Sequence, residues 1–344
     1  MQSVKQNYFE QLGKLTKRHL LVFFNNRMRV FFTLMVPFIV FVIYIFFLRN
    51  LELLTVKDVF SDSAIDELKN FDPSGNTQVN KYVGAILDSW MLSGIMAFST
   101  LTVSLQTNNI IVADKENGIN RDFASSPVSN TVLIISYFVY SFVVTLIVSF
   151  IFLIVCFIYL ACLGEFWLNF VDVLTILGVL LYSTVNSVLF TVFICSFVSK
   201  DMTMVSILTV FSSAIGFLIG AYMPFYMMPA AVQNVCCFIP GTYCCSLFRY
   251  AFLATPISEA SGYIVGLDPQ NGQAIIEGLT GNFGYNLEFF GMSLTPEIQS
   301  GIIAGFTVLL VVLNLITGKK LTSVIGEMGK KIAKATKPDV HKDK

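Results

Sequence analysis

Histidine and cysteine, the side chains that most often carry catalysis or bind metals, are scarce or unfavourably spaced in this chain. The two histidines are His19 and His341, and no HExxH pattern or comparable ligand cluster occurs. Four of the seven cysteines form a CC-x6-CC pattern at 236–245, which is compatible with a metal site, a disulfide or plain packing among helices. Because zinc sites usually show CxxC spacing or histidine partners, packing is favoured, and we predict neither a catalytic nor a metal site.

The chain also lacks the sequence pattern of a nucleotide-binding loop. Such a loop needs Gly-x-x-x-x-Gly-Lys-Ser/Thr, so that backbone amides and the lysine can bind the phosphates. The nearest segment with a lysine, TGKKLT at 317–322, lacks the upstream glycine. If the protein uses ATP, another polypeptide must therefore supply the site.

The loop with the sequence ADKENGINRDFASSPVSN at 113–130 carries the most informative group of charges. Asp114, Lys115 and Glu116 are followed by Gly118, which permits a turn, and by a Ser-Pro step that suits the start of another helix. A short charged helix held between two membrane spans would transmit force from a cytosolic partner, whereas an ordinary solvated loop would not. The loop alone favours neither interpretation.

Composition indicates that lipid surrounds most of the chain. Apolar residues make up 55% of the 344 residues and charged residues only 13%, about half the share in an average soluble domain. A soluble globule so poor in charge would expose large apolar patches, and a disordered chain would be richer in charge and poorer in aromatics. The net charge of zero argues against nucleic acid as a partner. We predict an all-α integral membrane protein.

Uncharged intervals locate the spans, because a charge at the middle of a bilayer costs about 2.5–3.5 kcal/mol even on a lenient scale. Six intervals hold between 19 and 47 uncharged residues, and about 20 are needed to cross. The charged residues that bound them are Arg29 and Arg49, Asp88 and Asp114, Asp122 and Glu165, Asp172 and Lys200, Asp201 and Arg249, and Glu297 and Lys319. We predict six transmembrane helices at about 30–48, 89–108, 131–161, 173–198, 203–222 and 299–318.

The distribution of lysine and arginine predicts the orientation of these spans. With six crossings, one side of the membrane holds the amino terminus, the 108–130 loop, the turn at Lys200 and the carboxyl tail, with 17 of the 22 basic residues. Basic residues mark the cytoplasmic side. We therefore predict a multi-pass protein of the cell membrane with both termini in the cytoplasm.

Residues 223–248 are long enough for a seventh crossing, but that crossing would carry the eight lysines of the tail to the outer side. Pro224, Pro229 and Pro240 also favour a broken segment, because proline interrupts a helix. Backbone that enters the membrane without spanning it is tolerated where protein buries it or a water-filled cavity borders it. We predict a re-entrant outer element after the fifth span.

The remaining segments complete a single transmembrane domain over residues 1–344. Residues 3–26 combine apolar side chains at helical spacing with basic ones, which favours a helix in the cytoplasmic membrane interface over a merely solvated helix. The cytoplasmic tail at 319–344 has a second basic amphipathic pattern. Two acidic segments, 49–87 and 250–297, are predicted to form a small extracellular cap.

Polar side chains are few within the predicted spans. Ser99 and Thr102 lie at helical spacing in the second span and face either a lumen or a neighbouring helix, of which the second is favoured. No predicted span carries the series of buried Asp, Glu and Arg side chains that a proton-coupled carrier needs. The driving reaction is therefore expected to lie in another protein.

Together these features resemble the permease subunit of an ATP-binding-cassette transporter of the type-2 exporter class. The amino-terminal amphipathic helix leads into a span with a central proline, FFTLMVPFIVF with Pro37. The DKENGINRDFASSPVSN loop is similar to the family's acidic-glycine coupling helix, and GFLIGAYMPFYMMPAAVQNVCCFIPGTY is similar to its glycine- and proline-containing signature after the fifth span. The long segments 49–87 and 250–297 depart from the compact members and leave the substrate open.

The resemblance implies a dimer of permeases, homomeric or with a related partner, bound to two ATPase subunits. It implies no cofactor on this chain, with ATP and Mg²⁺ bound by the ATPases. The implied coupling helix, which docks on an ATPase, contains or adjoins Asp114, Lys115, Glu116, Gly118 and Ile119. The implied outer gate is shaped by Pro224, Pro229 and Pro240. The candidates for the translocation path are Ser99, Thr102, Phe211 and Phe217.

Two hypotheses of function follow. The leading one is the membrane subunit of an ATP-driven exporter, not an enzyme by itself, that moves an amphipathic cargo such as a drug, a peptide or a lipid-linked molecule. The alternative is a non-transporting immunity or sensor protein that binds a peptide through its outer segments. Only the first predicts a dependence on ATP and on the 113–122 loop.

Overall fold

The structure, a computed structural model, describes residues 8–60, 70, 78–119, 122–123, 126, 128–267, 269–270, 272–282, 287–289 and 292–335. The helices in these residues are α1 (Tyr8–Asn25), α2 (Arg27–Ile43), α3 (Arg49–Phe60), α4 (Gln78–Glu116), α5 (Asn130–Leu163), α6 (Phe170–Phe197), α7 (Asp201–Leu218), α8 (Ala230–Cys236), α9 (Pro240–Leu267), α10 (Gly272–Asn282) and α11 (Pro296–Ala335). A π-helical turn, Tyr44–Leu48, joins α2 to α3, and a 3-10 turn covers Phe225–Met227. The strands β1 (Leu287–Phe289) and β2 (Met292–Leu294) form an antiparallel hairpin.

Six helical stretches of the described residues are long and apolar enough to cross a bilayer, which confirms the all-α membrane protein with six spans. They are Arg27–Leu54, Gln78–Glu116, Asn130–Leu163, Phe170–Phe197, Asp201–Leu218 and Pro296–Thr317. In addition, α8 and α9 are apolar together and are bent by 96° at the break between them. This bend lies within the predicted re-entrant element, and its depth in the membrane stays a prediction.

Helix α4 is the centre of the bundle. The most apolar part of α4, which is long enough to cross a membrane, is completely buried. The helix packs against α2, α5, α6, α7 and α9. Its 39 residues extend over about 58 Å, whereas the hydrocarbon layer is about 30 Å thick. Helix α4 is therefore longer than a bilayer crossing requires, and each of its ends carries charged residues.

Helix α1 lies within the segment 3–26 that was predicted as an interfacial helix, of which residues 1–7 are outside the described part. Its buried side chains Leu15, His19 and Phe23 recur every four residues and so share one face, along which α1 packs on α5. Exposed apolar side chains, among them Phe9 and Leu21, lie on the rest of its surface. Contact of this surface with lipid stays a prediction.

The prolines after the fifth span begin helices. Pro229 immediately precedes α8 and Pro240 is the first residue of α9, where the absent N–H of proline costs no hydrogen bond. Helix α9 then continues to Leu267, whereas the sequence-based element ended at 248. The continuation runs through Arg249, whose burial is explained below.

The segments predicted as a cap are partly helical. The first, 49–87, begins with α3 as a direct extension of the first span, and its residues 61–69 and 71–77 lie outside the described part. The second, 250–297, contains the end of α9, α10 and the hairpin. Helix α11 passes the predicted end of the last span at 318 and reaches Ala335.

Candidate functional site

Successive spans run in opposite directions, so the described charged residues gather at two ends of the bundle. The amino-terminal end holds α1, the last turn of α4, the start of α5 and the connection from α6 to α7. The opposite end holds the start of α4, the end of α5, Arg49 and Arg249. The 113–119 segment that was predicted to couple to an ATPase lies at the amino-terminal end.

Asp114 joins α4 to two other helices at that end. Arg18 of α1 donates two hydrogen bonds to its carboxylate, of 2.8 Å to Oδ2 and 2.9 Å to Oδ1, and the Tyr137 hydroxyl of α5 donates another of 2.7 Å. Such two-point pairing is the strong geometry for arginine and a carboxylate. The hydrogen bond with Asp114 raises the pKa of Arg18, and only 3% of Asp114 is exposed. This carboxylate is therefore fully used within the chain.

Lys115 caps the carboxyl end of α6. Its Nζ donates to the carbonyl oxygens of Cys195, Ser196 and Val198 over 2.8, 2.7 and 2.9 Å. The last carbonyls of a helix have no partner within the helix, and a cation also complements their partial negative charge. The three donors of the ammonium group are thereby all satisfied.

Glu116 binds the amino end of the next helix. Its Oε2 accepts a hydrogen bond of 2.6 Å from the backbone N–H of Asp201, the first residue of α7. Helix α4 ends immediately afterwards, where Gly118 takes a φ of 75° and its N–H bonds to the Lys115 carbonyl. Glycine suits this position because the left-handed conformation strains other residues. Ile119 follows and is half-buried.

We call this arrangement of Arg18, Asp114, Lys115, Glu116 and Tyr137 the junction. It connects the end of α4 with α1, with α5 and with the turn between α6 and α7. Sequence analysis identified the three α4 residues of the junction but not the partners of their charges. The exposed residues at the end of α4 and directly after it are Glu116 and Asn117, and docking of the segment on an ATPase stays a prediction.

His19 adjoins the junction and had no predicted role. It is fully buried, and its ring stacks on Tyr137 with 4.3 Å between the ring centroids. Arg18 Nη1 lies 3.1 Å from His19 Nδ1, and because a guanidinium has only donors, Nδ1 must be the acceptor. The proton of the neutral ring is then on His19 Nε2, which donates to the Ser136 hydroxyl over 3.2 Å. Burial, and next the charge of Arg18, lower the pKa of His19 to about 4. His19 is therefore neutral at pH 7.

The four predicted path residues do not form one surface in the protomer. Ser99 and Thr102 are buried in α4, and the Thr102 hydroxyl donates to the Phe98 carbonyl over 2.9 Å. Phe211 lines an apolar groove between α6 and α7. Phe217 is exposed on α7 and its ring meets that of Tyr222 at 5.3 Å. Their role in translocation stays a prediction.

The three prolines of the predicted outer gate lie together with the cysteine pairs at the opposite end. Pro224 and Pro240 are buried and Pro229 is exposed. All seven cysteines fall within the described residues and are free thiols, and those of the CC-x6-CC pattern are buried. These cysteines pack among apolar side chains of the neighbouring helices.

The opposite end holds a group of buried charges that sequence analysis missed. Arg49 Nε donates to both carboxylate oxygens of Asp88 over 3.1 Å, and Nη2 donates to Glu165 Oε1 over 3.2 Å. The hydroxyls of Tyr44 and Tyr159 also donate to Asp88. Asp88 is completely buried at the start of α4.

Arg249 is the second cation of this group and is also fully buried. Its guanidinium lies 4.4 Å from the centroid of the Trp90 ring, in the geometry of a cation–π contact, and donates to the Gly220 carbonyl. Arg49 and Asp88 lie just outside the predicted spans 30–48 and 89–108, and Arg249 lies in the continuation of α9, so the membrane-type helices of the structure include charges that the predicted spans left out. A usable signal existed, because Arg49, Asp88, Glu165 and Arg249 each bound an uncharged interval at the same end.

The helices, packed around α4, thus define a multi-pass membrane protein, and the junction joins these helices at the amino-terminal end of the bundle. A family model described as ABC-2 type transporter matches residues 10–253, which is more than half of the chain. The protein therefore belongs to the ABC-2 type transporter family and is a membrane subunit of that kind. The match includes both the junction and the buried charges of the opposite end. No curated protein matches the chain significantly.

Proposed function

We propose that the protein is the membrane subunit of an ATP-driven exporter. Two such subunits, identical or related, bind two ATPase subunits, which hold ATP and Mg²⁺ and carry out hydrolysis. This chain supplies the passage for an amphipathic cargo such as a drug, a peptide or a lipid-linked molecule. Membership of the ABC-2 type transporter family supports the ATPase partnership.

The observation that carries the proposal is the junction. The last turn of α4 is bonded to α1 and α5 through Asp114, to the end of α6 through Lys115, and to the start of α7 through Glu116. Charge-assisted hydrogen bonds of this kind each contribute about 1.5–3 kcal/mol. A displacement of this turn by a partner is therefore passed to four further helices at once.

The side on which the ATPases bind follows from charge. The amino-terminal end carries most of the basic residues, which supports a cytoplasmic location for this end, and for both termini, in a cell-membrane protein. Asp114 and Lys115 are already engaged within the chain. Contact with the ATPase is therefore made by the surface that begins at Glu116 and Asn117 and continues through Gly118 and Ile119.

The surface of α7 supports an apolar or amphipathic cargo. Phe211 and Ile215 line its groove with α6, and Thr203 and Ser206 add hydroxyl groups at the amino-terminal end of the groove. In the dimer this face lines the passage together with Phe217. Ser99 and Thr102 reach a cargo only when α4 separates from its neighbours.

Co-expression with an ATPase encoded beside the gene tests the proposal. Affinity capture of the permease is expected to recover the ATPase in a complex with two copies of each kind of subunit, measured by native mass spectrometry. Glu116→Lys should weaken recovery of the ATPase without unfolding the permease. The matched control is Glu277→Lys, a charge reversal on exposed α10 at the opposite end.

Failure of every candidate ATPase to co-purify would contradict the exporter. Equal recovery with Glu116→Lys and Glu277→Lys would retain the exporter but remove Glu116 from the contact. Binding of peptides to the permease alone, unchanged by ATP or by deletion of residues 113–122, would favour the sensor or immunity protein instead.

A further inference from the structure

The charges buried at the opposite end are not accounted for by the proposed function. We call Arg49, Glu52, Asp88, Glu165 and Arg249 the opposite-end cluster. These residues come from the first span with α3, from α4, from the connection between α5 and α6, and from α9. Among the described residues of the cluster, three carboxyl groups accompany two guanidinium groups.

The three carboxyl groups share the two guanidinium groups unequally. Glu52 lies close enough to Arg249 for their opposite charges to interact, although its Oε2 is buried without a hydrogen bond among the described residues. Asp88 accepts a hydrogen bond from Arg49 Nε at each of its two oxygens, over 3.1 Å. The single charge of Arg49 is therefore already paired with Asp88.

Glu165 has to share Arg49 with Asp88. It is 7% exposed, and its Oε1 accepts a hydrogen bond from Arg49 Nη2 over 3.2 Å, while its Oε2 is buried and makes no hydrogen bond among the described residues. Gly84 of α4 leaves the room for this side chain, because a Cβ there would lie 2.4 Å from Oε1. The chain thus builds a closed position for a third carboxyl group beside Asp88.

A third buried negative charge without its own cation is strongly unfavourable, and such a group takes up a proton instead of remaining ionised. We propose that Glu165 is a proton-binding site at the opposite end of the bundle, occupied at neutral pH. The neutral carboxyl keeps its contact with Arg49 and adds no repulsion to Asp88. The other polar groups that face the site are the hydroxyls of Tyr44 and Tyr159, which donate to Asp88.

The titration behaviour of Glu165 agrees with this assignment. Burial, followed by the neighbouring Asp88, raises the pKa of Glu165 to about 9 from the value of 4.5 in an unfolded chain. Between these two pH values the folded protein holds the proton more tightly than the unfolded one. The stability contributed by Glu165 is therefore complete below about pH 4.5 and is lost as the pH rises towards about 9.

Proton occupancy is linked to the closed state of this end. Water that enters the cluster would remove the burial that holds the proton, so opening of this end releases it, and protonation favours closure by the same amount. This inference concerns the charge balance of one chain and stands whether or not the protein is an exporter.

Infrared spectroscopy of the full-length permease in lipid nanodiscs tests the site directly. At pH 7 the wild type should show the carbonyl stretch of a protonated carboxylic acid, shifted in D₂O, and Glu165→Gln should lose one component of this band. Glu52→Gln is the matched control and should keep that component. Asp88→Asn removes the neighbouring charge and should weaken the component at pH 7, which provides a second test if Glu165→Gln does not fold.

Melting temperatures measured across the same pH range complete the test. The wild type should lose stability relative to Glu165→Gln as the pH rises from about 4.5 to 9. A wild type without the band at pH 7, or a band of unchanged intensity in Glu165→Gln, would overturn the assignment. A band lost in Glu52→Gln but kept in Glu165→Gln would place the proton on Glu52 and overturn it equally.

Discussion

At the scale of single residues, the two buried aspartates of α4 are stabilised by the same chemistry. Asp114 receives an arginine, Arg18, and the Tyr137 hydroxyl, and Asp88 receives Arg49 and tyrosine hydroxyls. Removing one partner of such a pair leaves an uncompensated buried charge, which typically costs about 3–5 kcal/mol. Each arginine lies far from its aspartate in sequence, so these pairs tie distant segments together.

The neutral state of His19 predicts sensitivity to acid. Its pKa is about 4 in the folded protein and 6.5 in the unfolded chain, so the unfolded state takes up the proton first. The stability that His19 contributes is complete above about pH 6.5 and is lost as the pH falls towards 4, by up to about 3 kcal/mol. Thermal unfolding of purified permease over this range measures the effect.

His19→Gln is the comparison for that measurement, because glutamine offers a donor and an acceptor but does not titrate. Its melting temperature should depend less on pH than that of the wild type. The same loss of stability in acid for both proteins would show that other groups dominate.

At the scale of elements, the two charged ends of α4 contact different neighbours. At its carboxyl end, Lys115 bonds to the end of α6 and Glu116 bonds to the start of α7, so both hold the turn between these helices. Its other end is held by Arg49 and approached by Glu165. Between these ends the helices pack closely, as the contact between Gly94 of α4 and Ala221 after α7 illustrates.

Lys115→Met should loosen the connection between α6 and α7. The methionine keeps the apolar stem but leaves three helix-end carbonyls without their donor, at a cost of about 1–3 kcal/mol. Amide hydrogen exchange at residues 198–204 should accelerate. The matched control is Lys14→Met, whose ammonium pairs with Glu10 on the exposed surface, where water screens the contact and its loss should have little effect. Equal exchange in the two variants would argue against the cap.

Gly94→Ala should separate α4 from the turn that follows α7. A Cβ at position 94 would lie 2.5 Å from the Ala221 carbonyl oxygen, so backbone must move, at a cost of about 1–3 kcal/mol. The melting temperature should fall. Gly178→Ala in α6, where a Cβ meets nothing within 4 Å, is expected to be neutral or slightly stabilising. A Gly94→Ala protein as stable as the Gly178→Ala protein would contradict this packing.

At the scale of the whole molecule, the chain is neutral overall but polarised between its two ends. The six spans could be predicted because an uncharged interval is a physical requirement of lipid. The rule placed Arg249 and Asp88 at the ends of uncharged intervals but could not predict their burial, because it depends on Trp90, Gly220 and Arg49, which only the folded chain brings near. The loop with Asp114, Lys115 and Glu116 was identifiable from local pattern.

The partners of that loop were not identifiable from sequence, for the same reason. Arg18 lies 96 positions before Asp114, and the carbonyls that Lys115 caps lie 80 or more positions after it. Local pattern contains no information about such pairing. His19 was missed because a lone histidine has no spacing signal, and its neutrality follows from burial against Tyr137.

In the proposed exporter, ATP hydrolysis by a partner is coupled to this subunit through the junction. Coupling is measured as the hydrolysis rate of the purified ATPase with and without the permease, both in lipid nanodiscs. We expect a rate that depends on the permease and is reduced in the Lys115→Met complex while assembly is retained. A rate that is the same with the wild-type permease, with Lys115→Met and with no permease would contradict it.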